Sequence, residues 1–335
     1  MRMKKSFIRG LLITGFMGIA LTSLAAGDLW VEYEGKAGIG QGKHIVFVTG
    51  DEEYRSEESM PQLARILAKH HGFKCTVLFA IDPKDGSIDP NQSFNIPGLE
   101  KLKDADLMVI FTRFRDLPDD QMIHILNYIN SGKPIMGLRT ATHAFNFKQN
   151  KTYAKYSYNN KSEDYKGGFG RQVLGETWIN HYGNHQKEST RGLIAKGAKG
   201  SPIVKGCDDI WGPSDVYGIT TLHGDSKPII MGQVLVGMNP DDKPNKEKQA
   251  IPVAWTKTFT GDKGKTSRVF TTTMGHSGDL QSEGFRRLLV NACLWGLGME
   301  DKIPEKANVE LVGKYNPSPI GFNKAKKGVK PSDHK

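Results

Sequence analysis

The stretch HIVFVTGDEEYRSEESMPQLARILAKHHG, residues 44–72, decides the fold. Its first seven residues form a continuous apolar, β-branched run that ends in glycine, which predicts a strand buried on both faces. Acidic and serine side chains follow and can cap a helix, and Leu63, Ile66 and Leu67 then recur at helical spacing before Gly72. A buried strand followed directly by an amphipathic helix predicts a βαβ unit within a parallel sheet.

The same alternation continues along the chain and predicts further elements on the same grounds. Strands are predicted at residues 74–80, 106–112, 133–139, 228–238, 251–259 and 268–275, and helices at 117–132 and 285–297. Polar alternation also returns at residues 189–196. We expect some of the later strands to run antiparallel. The fold class is therefore α/β, with a doubly wound, mostly parallel sheet flanked by helices. Residues 146–170, rich in Tyr, Lys, Asn and Gly, are interpreted as an insertion over one edge of the sheet.

Residues 1–26 have the features of a cleavable export signal. Basic residues precede an almost uncharged apolar run that ends at Leu24, and cleavage is expected after Ala25 or Ala26. The protein is then periplasmic or secreted, without a stable membrane span after cleavage. An uncleaved membrane anchor remains the alternative, because the apolar run is of borderline length for a bilayer.

Three further segments are expected in the mature chain. An extended lead-in covers residues 27–42, a single α/β domain covers 43–300, and a basic, proline-containing tail covers 301–335. The tail holds eight lysines against four acidic residues and is interpreted as a solvated extension.

Charge and cysteine content exclude two classes of protein. The chain carries a net charge of +10, but no arginine-rich stripe is interleaved with aromatic residues, so we expect no nucleic-acid partner. Its three cysteines do not describe a disulfide framework. Cys75 and Cys293 lie in apolar runs and are interpreted as small buried hydrophobic residues.

Polar side chains follow several of the predicted strands where each strand ends. They are Asp51, Arg113, Arg139, Thr140, Thr142, His143 and His276. Ligands of open α/β sheets bind outside the carboxyl ends of the strands, so we expect these side chains to converge on one ligand-binding rim.

The segment GLRTATHAF, residues 137–145, lies at a predicted strand-to-helix turn, the position of a nucleophile elbow. Thr140 and Thr142 are its candidate nucleophiles, with His143 or His276 as the base. Threonine is a poor nucleophile without an adjacent base, so capping of the turn by the two hydroxyls is the competing interpretation.

The segment WINHYGNH, residues 178–185, contains two histidines four residues apart, His181 and His185. The residues between them favour a loop over a metal-binding helix. Together with His143, His276 and Asp51 they suit a divalent metal such as zinc or manganese. Alternatively, the histidines stay metal-free and act as acid and base or bind sugar hydroxyls. Both interpretations remain open at this point.

Aromatic and acidic residues complete the set of candidates. Trp178, together with Trp211, Tyr217 and Trp255, can form a stacking surface for a sugar ring, although such residues often belong to a core. The acids of GCDDIWGPSDVYGI, namely Asp208, Asp209 and Asp215, are interpreted as solvated turn residues rather than catalytic carboxylates.

The order of these motifs resembles the trehalose-utilisation, or ThuA-like, family. The resemblance covers residues 43–300 and is most specific in two places: from Phe111 to Phe145, and from the Gly-His at 275–276 through FRRLLVNACLWGLG, residues 285–298. It implies a flavodoxin-like sheet related to class I glutamine amidotransferases. It also implies a role in carbohydrate metabolism, in the handling of trehalose and 3-keto-disaccharides.

The chain departs from these relatives at three positions. Arg139 stands where the ThuA-like family commonly has His, which puts any role carried over to that position in doubt. The elbow has no nucleophilic cysteine, and Gly278 stands where an amidotransferase would have Glu, two residues after His276. Glutaminase chemistry is therefore not expected.

The leading hypothesis is an exported enzyme that acts on a small carbohydrate. Its catalytic residues would be His276, His181 and His143, and its substrate-binding residues Asp51, Arg113, Arg139, Thr140, Thr142, Trp178 and His185. The alternative is a non-catalytic carbohydrate-binding or scaffolding protein. The one candidate cofactor is a divalent metal. The expected ligand is a small carbohydrate, and assembly of several copies of the chain is compatible with the sequence.

Overall fold

The computed structural model describes residues 29–335. The predicted export signal, residues 1–26, lies outside this range. Within the described residues, no helix combines the length and the apolar character that crossing a membrane requires.

The strands and helices follow the predicted order. The strands are β1 (Trp30–Tyr33), β2 (His44–Gly50), β3 (Lys74–Leu78), β4 (Leu107–Thr112), β5 (Ile135–Leu138), β6 (His181–Tyr182), β7 (Thr190–Ile194), β8 (Trp211–Gly212), β9 (Val216–Tyr217), β10 (Lys227–Val234), β11 (Ile251–Thr260) and β12 (Thr266–Thr272). The α-helices are α1 (Ser56–His71), α2 (Asp119–Ile129) and α3 (Glu283–Gly296).

Ten of these strands form one sheet in the order β1-β3-β2-β4-β5-β12-β11-β10-β7-β8. Its centre, from β3 to β12, is parallel, and antiparallel strands extend both sides. The two-residue strands β6 and β9 pair separately. The α/β fold class is confirmed, as is the expectation that later strands run antiparallel.

Burial on both faces of the sheet explains the unbroken apolar run of β2. Ile45 and Phe47 belong to the core that α1 and α3 cover, and Val46 and Val48 belong to the core on the α2 side. Side chains alternate between the faces of a strand, so only an apolar residue at every position satisfies both cores.

The central strands deliver their polar loops to one rim. β2 leads into residues 51–55, β4 into 113–116, β5 into the 3₁₀ turn Arg139–His143, and β12 into 273–276. In parallel strands these carboxyl ends lie at the same edge, as the sequence predicted.

Two segments differ from the sequence interpretation. The lead-in is not merely extended, because β1 pairs antiparallel with β3 at the edge of the sheet. The 146–170 segment packs on a face of the sheet rather than over its edge, since Phe147, Tyr156 and Phe169 join the core on the α2 side.

The C-terminal tail is not a solvated extension. Ile303, Val309 and Ile320 are buried against the core that α1 and α3 share. The backbone N–H and hydroxyl of Ser318 donate to the carboxylate of Glu58 at 2.6 and 2.7 Å. The lysines stay at the surface while the apolar residues between them hold the tail to the body.

Candidate functional site

A narrow cleft lies at the rim, above the carboxyl ends of β2, β4 and β5. It is lined by Glu53, Tyr54, Arg113, Phe114, His143, Trp178, His181 and Tyr217. Five of these residues were candidates in the sequence: Arg113, His143, Trp178, His181 and Tyr217. The enclosed volume is only about 20 Å³, close to the space of one water molecule. A larger ligand must therefore lie across the mouth of the cleft.

The cleft is built around a buried carboxylate, Asp215. Its Oδ2 accepts a hydrogen bond from Nδ1 of His181 at 2.6 Å, and its Oδ1 accepts one from Nδ1 of His185 at 3.0 Å. Nε2 of His185 lies 3.3 Å from Oε1 of Glu53. We call Asp215, His181, His185 and Glu53 the Asp215 cluster.

Two very short strands bring this cluster together. In the β6–β9 pair, His181 lies opposite Tyr217 and Tyr182 lies opposite Val216. Asp215 immediately precedes β9, so the pairing sets its carboxylate beside the His181 ring. The turn after β6 then brings His185 back to the same carboxylate, with the two imidazole centroids 4.7 Å apart.

The charges of the cluster follow from its hydrogen bonds. Burial alone raises the pKa of Asp215, but the hydrogen bonds from His181 and His185 and the charge of Arg139 outweigh it, so the pKa lies well below its usual range. The hydrogen bonds to Asp215 and Glu53 raise the pKa of His185 to about 9. His185 is therefore a cation at neutral pH, held between two carboxylates.

His181 is the member of the cluster that faces solvent. Its side chain is 36% exposed, and within the described residues its Nε2 makes no hydrogen bond. A carboxylate only accepts hydrogen bonds, so Nδ1 donates to Asp215 and Nε2 is the ring nitrogen left free to exchange a proton with a ligand. This arrangement gives the mouth of the cleft one oriented proton acceptor.

Arg139 supports the cluster from below and does not reach the cleft. Its side chain is fully buried, it donates to the backbone carbonyls of Asp215 and Thr273, and its Nη2 lies 3.3 Å from Oδ1 of Asp215. The guanidinium carbon lies 4.0 and 4.7 Å from the ring centroids of Tyr54 and Tyr217. Arg139 was predicted to contact the ligand. This geometry does not fit that role, because its guanidinium is buried and paired with Asp215.

A sharp turn follows β5, as the sequence predicted, but neither Thr140 nor Thr142 occupies its left-handed position. Arg139 takes the left-handed conformation, with φ 49°. The buried hydroxyl of Thr140 donates to Asp51, and that of Thr142 lies 3.1 Å from Nδ1 of His143. The two threonines therefore hold the turn through contacts with Asp51 and His143, although in the part of the chain that the structure describes neither hydroxyl caps a backbone N–H of the turn.

Asp51 also acts inside the protein. It is fully buried, and its Oδ1 accepts from the backbone N–H groups of Glu53 and Tyr54 at 2.7 and 2.5 Å. Its Oδ2 accepts from Thr140. Asp51 thus shapes the loop that presents Glu53 and Tyr54, and it leaves no oxygen for the ligand that the sequence predicted.

His143 lines the cleft as a neutral, aromatic-packed ring. Its centroid lies 5.0 Å from that of Phe114, 5.4 Å from Trp178 and 5.3 Å from Tyr217. Burial, with the nearby charges of Arg113 and Arg139, holds its pKa well below the usual value. An imidazole whose pKa is held this low resists protonation, which does not suit the acid–base role predicted for it.

His276 lies behind the cleft rather than in it. Its ring centroid is 6.5 Å from that of Tyr54, its Nδ1 accepts from the backbone N–H of Gly278 at 3.2 Å, and the side chain is buried. Burial, and then the charge of Arg139, lower its pKa to about 3. Of the three predicted catalytic histidines, only His181 is both accessible and oriented by a carboxylate.

The comparisons with known proteins agree with the resemblance seen in the sequence. The sequence model described as ThuA, trehalose utilisation, matches residues 44–296. This chain belongs to the ThuA family. No curated protein matches it.

Two solved structures are similar to this ThuA family member. A ThuA-like protein from Bacteroides uniformis is 15% identical, with 78% of this chain and 93% of that chain covered and a TM-score of 0.44. A ThuA-like protein from Parabacteroides merdae is 14% identical, with 84% and 98% covered and a TM-score of 0.44.

The metal donors of this ThuA family member differ from those predicted. Ligand atoms of His181, His185 and Asp215 all lie within 4.8 Å of one another, a grouping that could hold a divalent ion. Asp51, His143 and His276, which the sequence prediction included, are not part of it. The donor set is nitrogen and carboxylate oxygen, which suits zinc or manganese.

Several site residues were missed in the sequence, and Asp215 is the most important of them. Asp208 and Asp209 are exposed, as predicted for turn acids, but Asp215 is fully buried and that interpretation is wrong for it. Glu53 and Tyr54 were also missed. One signal was present: both follow directly on Asp51 at the end of β2, where rim residues were expected.

Proposed function

We propose that this ThuA family member acts on a small sugar, such as trehalose or a 3-keto-disaccharide, with His181 as its acid–base residue. The observation that carries the proposal is the hydrogen bond of 2.6 Å between Nδ1 of the exposed His181 and the buried carboxylate of Asp215. A carboxylate behind an imidazole fixes its tautomer and stabilises the protonated ring that forms after proton transfer.

The surroundings of His181 suit a ligand with both polar and apolar faces. The ring of Trp178 lies 6.1 Å from that of His181, edge to face, and offers an apolar surface beside the reactive nitrogen. Trp178, His181 and Arg113 all line the cleft, and Arg113 is ion-paired with Glu52 and Glu53. Sugars present hydroxyls at their edges and C–H groups on their faces, which matches this pairing.

The charges of the Asp215 cluster suit the removal of a proton from a carbon next to a carbonyl group. Abstraction of a proton beside the ketone of a 3-keto-sugar by Nε2 of His181 leaves negative charge on the carbonyl oxygen. The His185 cation lies beside His181, with the two ring centroids 4.7 Å apart. A fixed positive charge near developing negative charge lowers the barrier of such a step.

We place this activity outside the cytoplasm. Support comes from residues 1–26, which have the basic start, the apolar run and the small residues of an export signal. Fractionation of cells that express the full chain, with N-terminal sequencing of the product, tests this placement. A cytoplasmic product that begins at Met1 would contradict it.

The test of the proposed activity compares His181→Gln with His124→Gln on a panel of trehalose, glucose and their 3-keto derivatives. His124 lies on α2, away from the rim, and serves as the matched control. General acid–base catalysis contributes about 10²- to 10⁴-fold, so the His181 variant should lose turnover by at least about 100-fold while the control keeps it. Turnover that survives in His181→Gln would overturn the assignment. Saturable sugar binding without any product would instead support a non-catalytic binding protein.

A metal-dependent form of this function is the second candidate, favoured by the grouping of His181, His185 and Asp215 within 4.8 Å. An ion would have to displace the proton of His185, whose pKa is about 9, so zinc affinity should rise with pH up to that value. Metal analysis of the purified protein and zinc titration at several pH values test this form. An absence of stoichiometric metal together with full turnover in a chelator would exclude it.

A further inference from the structure

The C-terminal tail is joined directly to the loop that forms the cleft. The backbone N–H of Gly321 donates to the carbonyl of Glu53 at 2.9 Å, and the guanidinium of Arg55 donates to the carbonyl of Gly321. Arg55 and Gly321 are both buried. The tail thus crosses the rim at a fixed position beside the Asp215 cluster, to which Glu53 belongs.

The next residue, Phe322, packs against the side chain of Arg113, which lines the cleft. The guanidinium carbon of Arg113 lies 5.1 Å from the ring centroid of Phe322 and 4.5 Å from that of Phe114. Phe114 and Arg113 both line the cleft. Arg113 thus contacts both Phe114, which lines the cleft, and Phe322, which belongs to the tail.

Contact with Arg113 leaves much of the Phe322 ring open to solvent. The residue is 52% exposed, although its neighbour Ile320 is buried. A cation–π contact at an exposed site contributes about 0.5–1 kcal/mol, so the contact with Arg113 gives this exposed ring only modest stabilisation. Among the described residues, Phe94 is equally exposed, but it lies beside Pro118 and Gln149, outside the cleft.

The small volume of the cleft points to a role for the exposed Phe322 ring in ligand binding. The cleft encloses about 20 Å³, so a disaccharide must lie across its mouth. With one sugar ring at His181 and Trp178, the second extends over the rim. An aromatic ring fixed there offers the flat apolar surface on which the C–H face of a sugar packs.

We propose that Phe322 forms an outer sugar subsite, which makes the tail part of the binding site and favours disaccharides over monosaccharides. This inference rests on the proposed function, since it assumes a sugar at His181. Phe322 acts as a specificity residue through contact with the ring that does not react.

The test compares Phe322→Ala, Phe322→Trp and the matched control Phe94→Ala in the full mature chain. The probes are trehalose and glucose, each also as its 3-keto derivative, with kcat and KM measured by turnover and Kd by calorimetry. Loss of one aromatic stacking contact should raise KM or Kd for the disaccharides roughly 2- to 12-fold, with kcat within about twofold. Monosaccharide values should not change, and Phe322→Trp and Phe94→Ala should resemble wild type.

Three results would overturn the inference. Unchanged disaccharide affinity in Phe322→Ala would remove the subsite while leaving the proposed function in place. Equal weakening for monosaccharides and disaccharides would assign Phe322 to support of Arg113 instead. A wild-type protein that neither binds nor turns over any of the four sugars would overturn the proposed function together with the subsite.

Discussion

Replacement of Asp215 by Asn tests the centre of the site, because the amide keeps the shape of the carboxylate and removes its charge. Two imidazoles and a buried guanidinium depend on that charge: His181 at 2.6 Å, His185 at 3.0 Å and Arg139 at 3.3 Å. The variant should lose about 3 kcal/mol of the free energy of unfolding near neutral pH, the range expected when one partner of a buried ion pair is removed.

Part of this loss should depend on pH through His185. A rise in its pKa from 6.5 to about 9 corresponds to roughly 3 kcal/mol before screening. Glu53 shares this effect and the His185 side chain is 29% exposed, so we assign about 1 kcal/mol to Asp215. Because the pKa of His185 is higher in the folded than in the unfolded state, its proton stabilises the folded protein fully below pH 6.5. That stabilisation is lost as the pH rises through about 9. The deficit of Asp215→Asn should therefore shrink from about 3 to about 2 kcal/mol between pH 6 and pH 10, since Arg139 stays charged.

Urea unfolding at the two pH values measures the deficit, and NMR titration of the His185 ring measures its pKa directly. Asp208→Asn is the control, because Asp208 is exposed in the same segment and its replacement should change stability by less than about 0.5 kcal/mol. A deficit below 1 kcal/mol with an unchanged His185 pKa would show that the Asp215 cluster does not form as described.

Three further predictions concern the surroundings of the cluster. His276 should stay neutral above about pH 5 in an NMR titration, and because its folded-state pKa of about 3 lies below 6.5, His276→Gln should reduce the loss of thermal stability on acidification from pH 6.5 towards pH 3. Arg139→Lys should lower the free energy of unfolding in urea by about 2–3 kcal/mol, since an ammonium cannot reproduce the planar guanidinium contacts. Gly170→Ala should cost about 3 kcal/mol in the same assay, because a Cβ there would lie 1.9 Å from the carbonyl oxygen of Thr142, whereas Gly197→Ala meets nothing within 4 Å and should be nearly neutral.

The parallel centre of the sheet could be predicted because its strands are buried on both faces. An apolar run such as residues 44–50 is a strong local signal, and the observed β2 has the same bounds. The segments at the periphery of the fold, β1 and the C-terminal tail, were harder to predict. β1 alternates between buried and exposed residues over only four positions, and the tail carries its buried residues singly among lysines. Neither pattern is long enough to stand out from a loop.

The site was predictable in its location but less so in its chemistry. Rim residues such as Arg113 and His143 follow from the rule that ligands bind at the strand ends. His181 was a candidate for another reason, its spacing of four residues from His185. Asp215 follows from neither signal, because its burial depends on the pairing of β6 with β9, and two-residue strands have no periodicity to detect. In GPSDVYG it has the composition of a turn, and only tertiary contacts make it the hydrogen-bond acceptor of two histidines.

The elbow at the end of β5 shows how tertiary contacts decide the chemistry. A left-handed conformation costs a non-glycine residue about 1–2 kcal/mol, and Arg139 adopts it with φ 49°. Hydrogen bonds to the Asp215 and Thr273 carbonyls and contacts with two tyrosine rings offset that cost. A position that could present a nucleophile therefore presents a buried cation, which remains protonated and cannot attack a substrate. Together with the hydrogen bonds from His181 and His185, that cation keeps the carboxylate of Asp215 ionised, and the carboxylate in turn orients His181. The departure at Arg139 thus favours acid–base chemistry at the mouth of the cleft over covalent chemistry at its base.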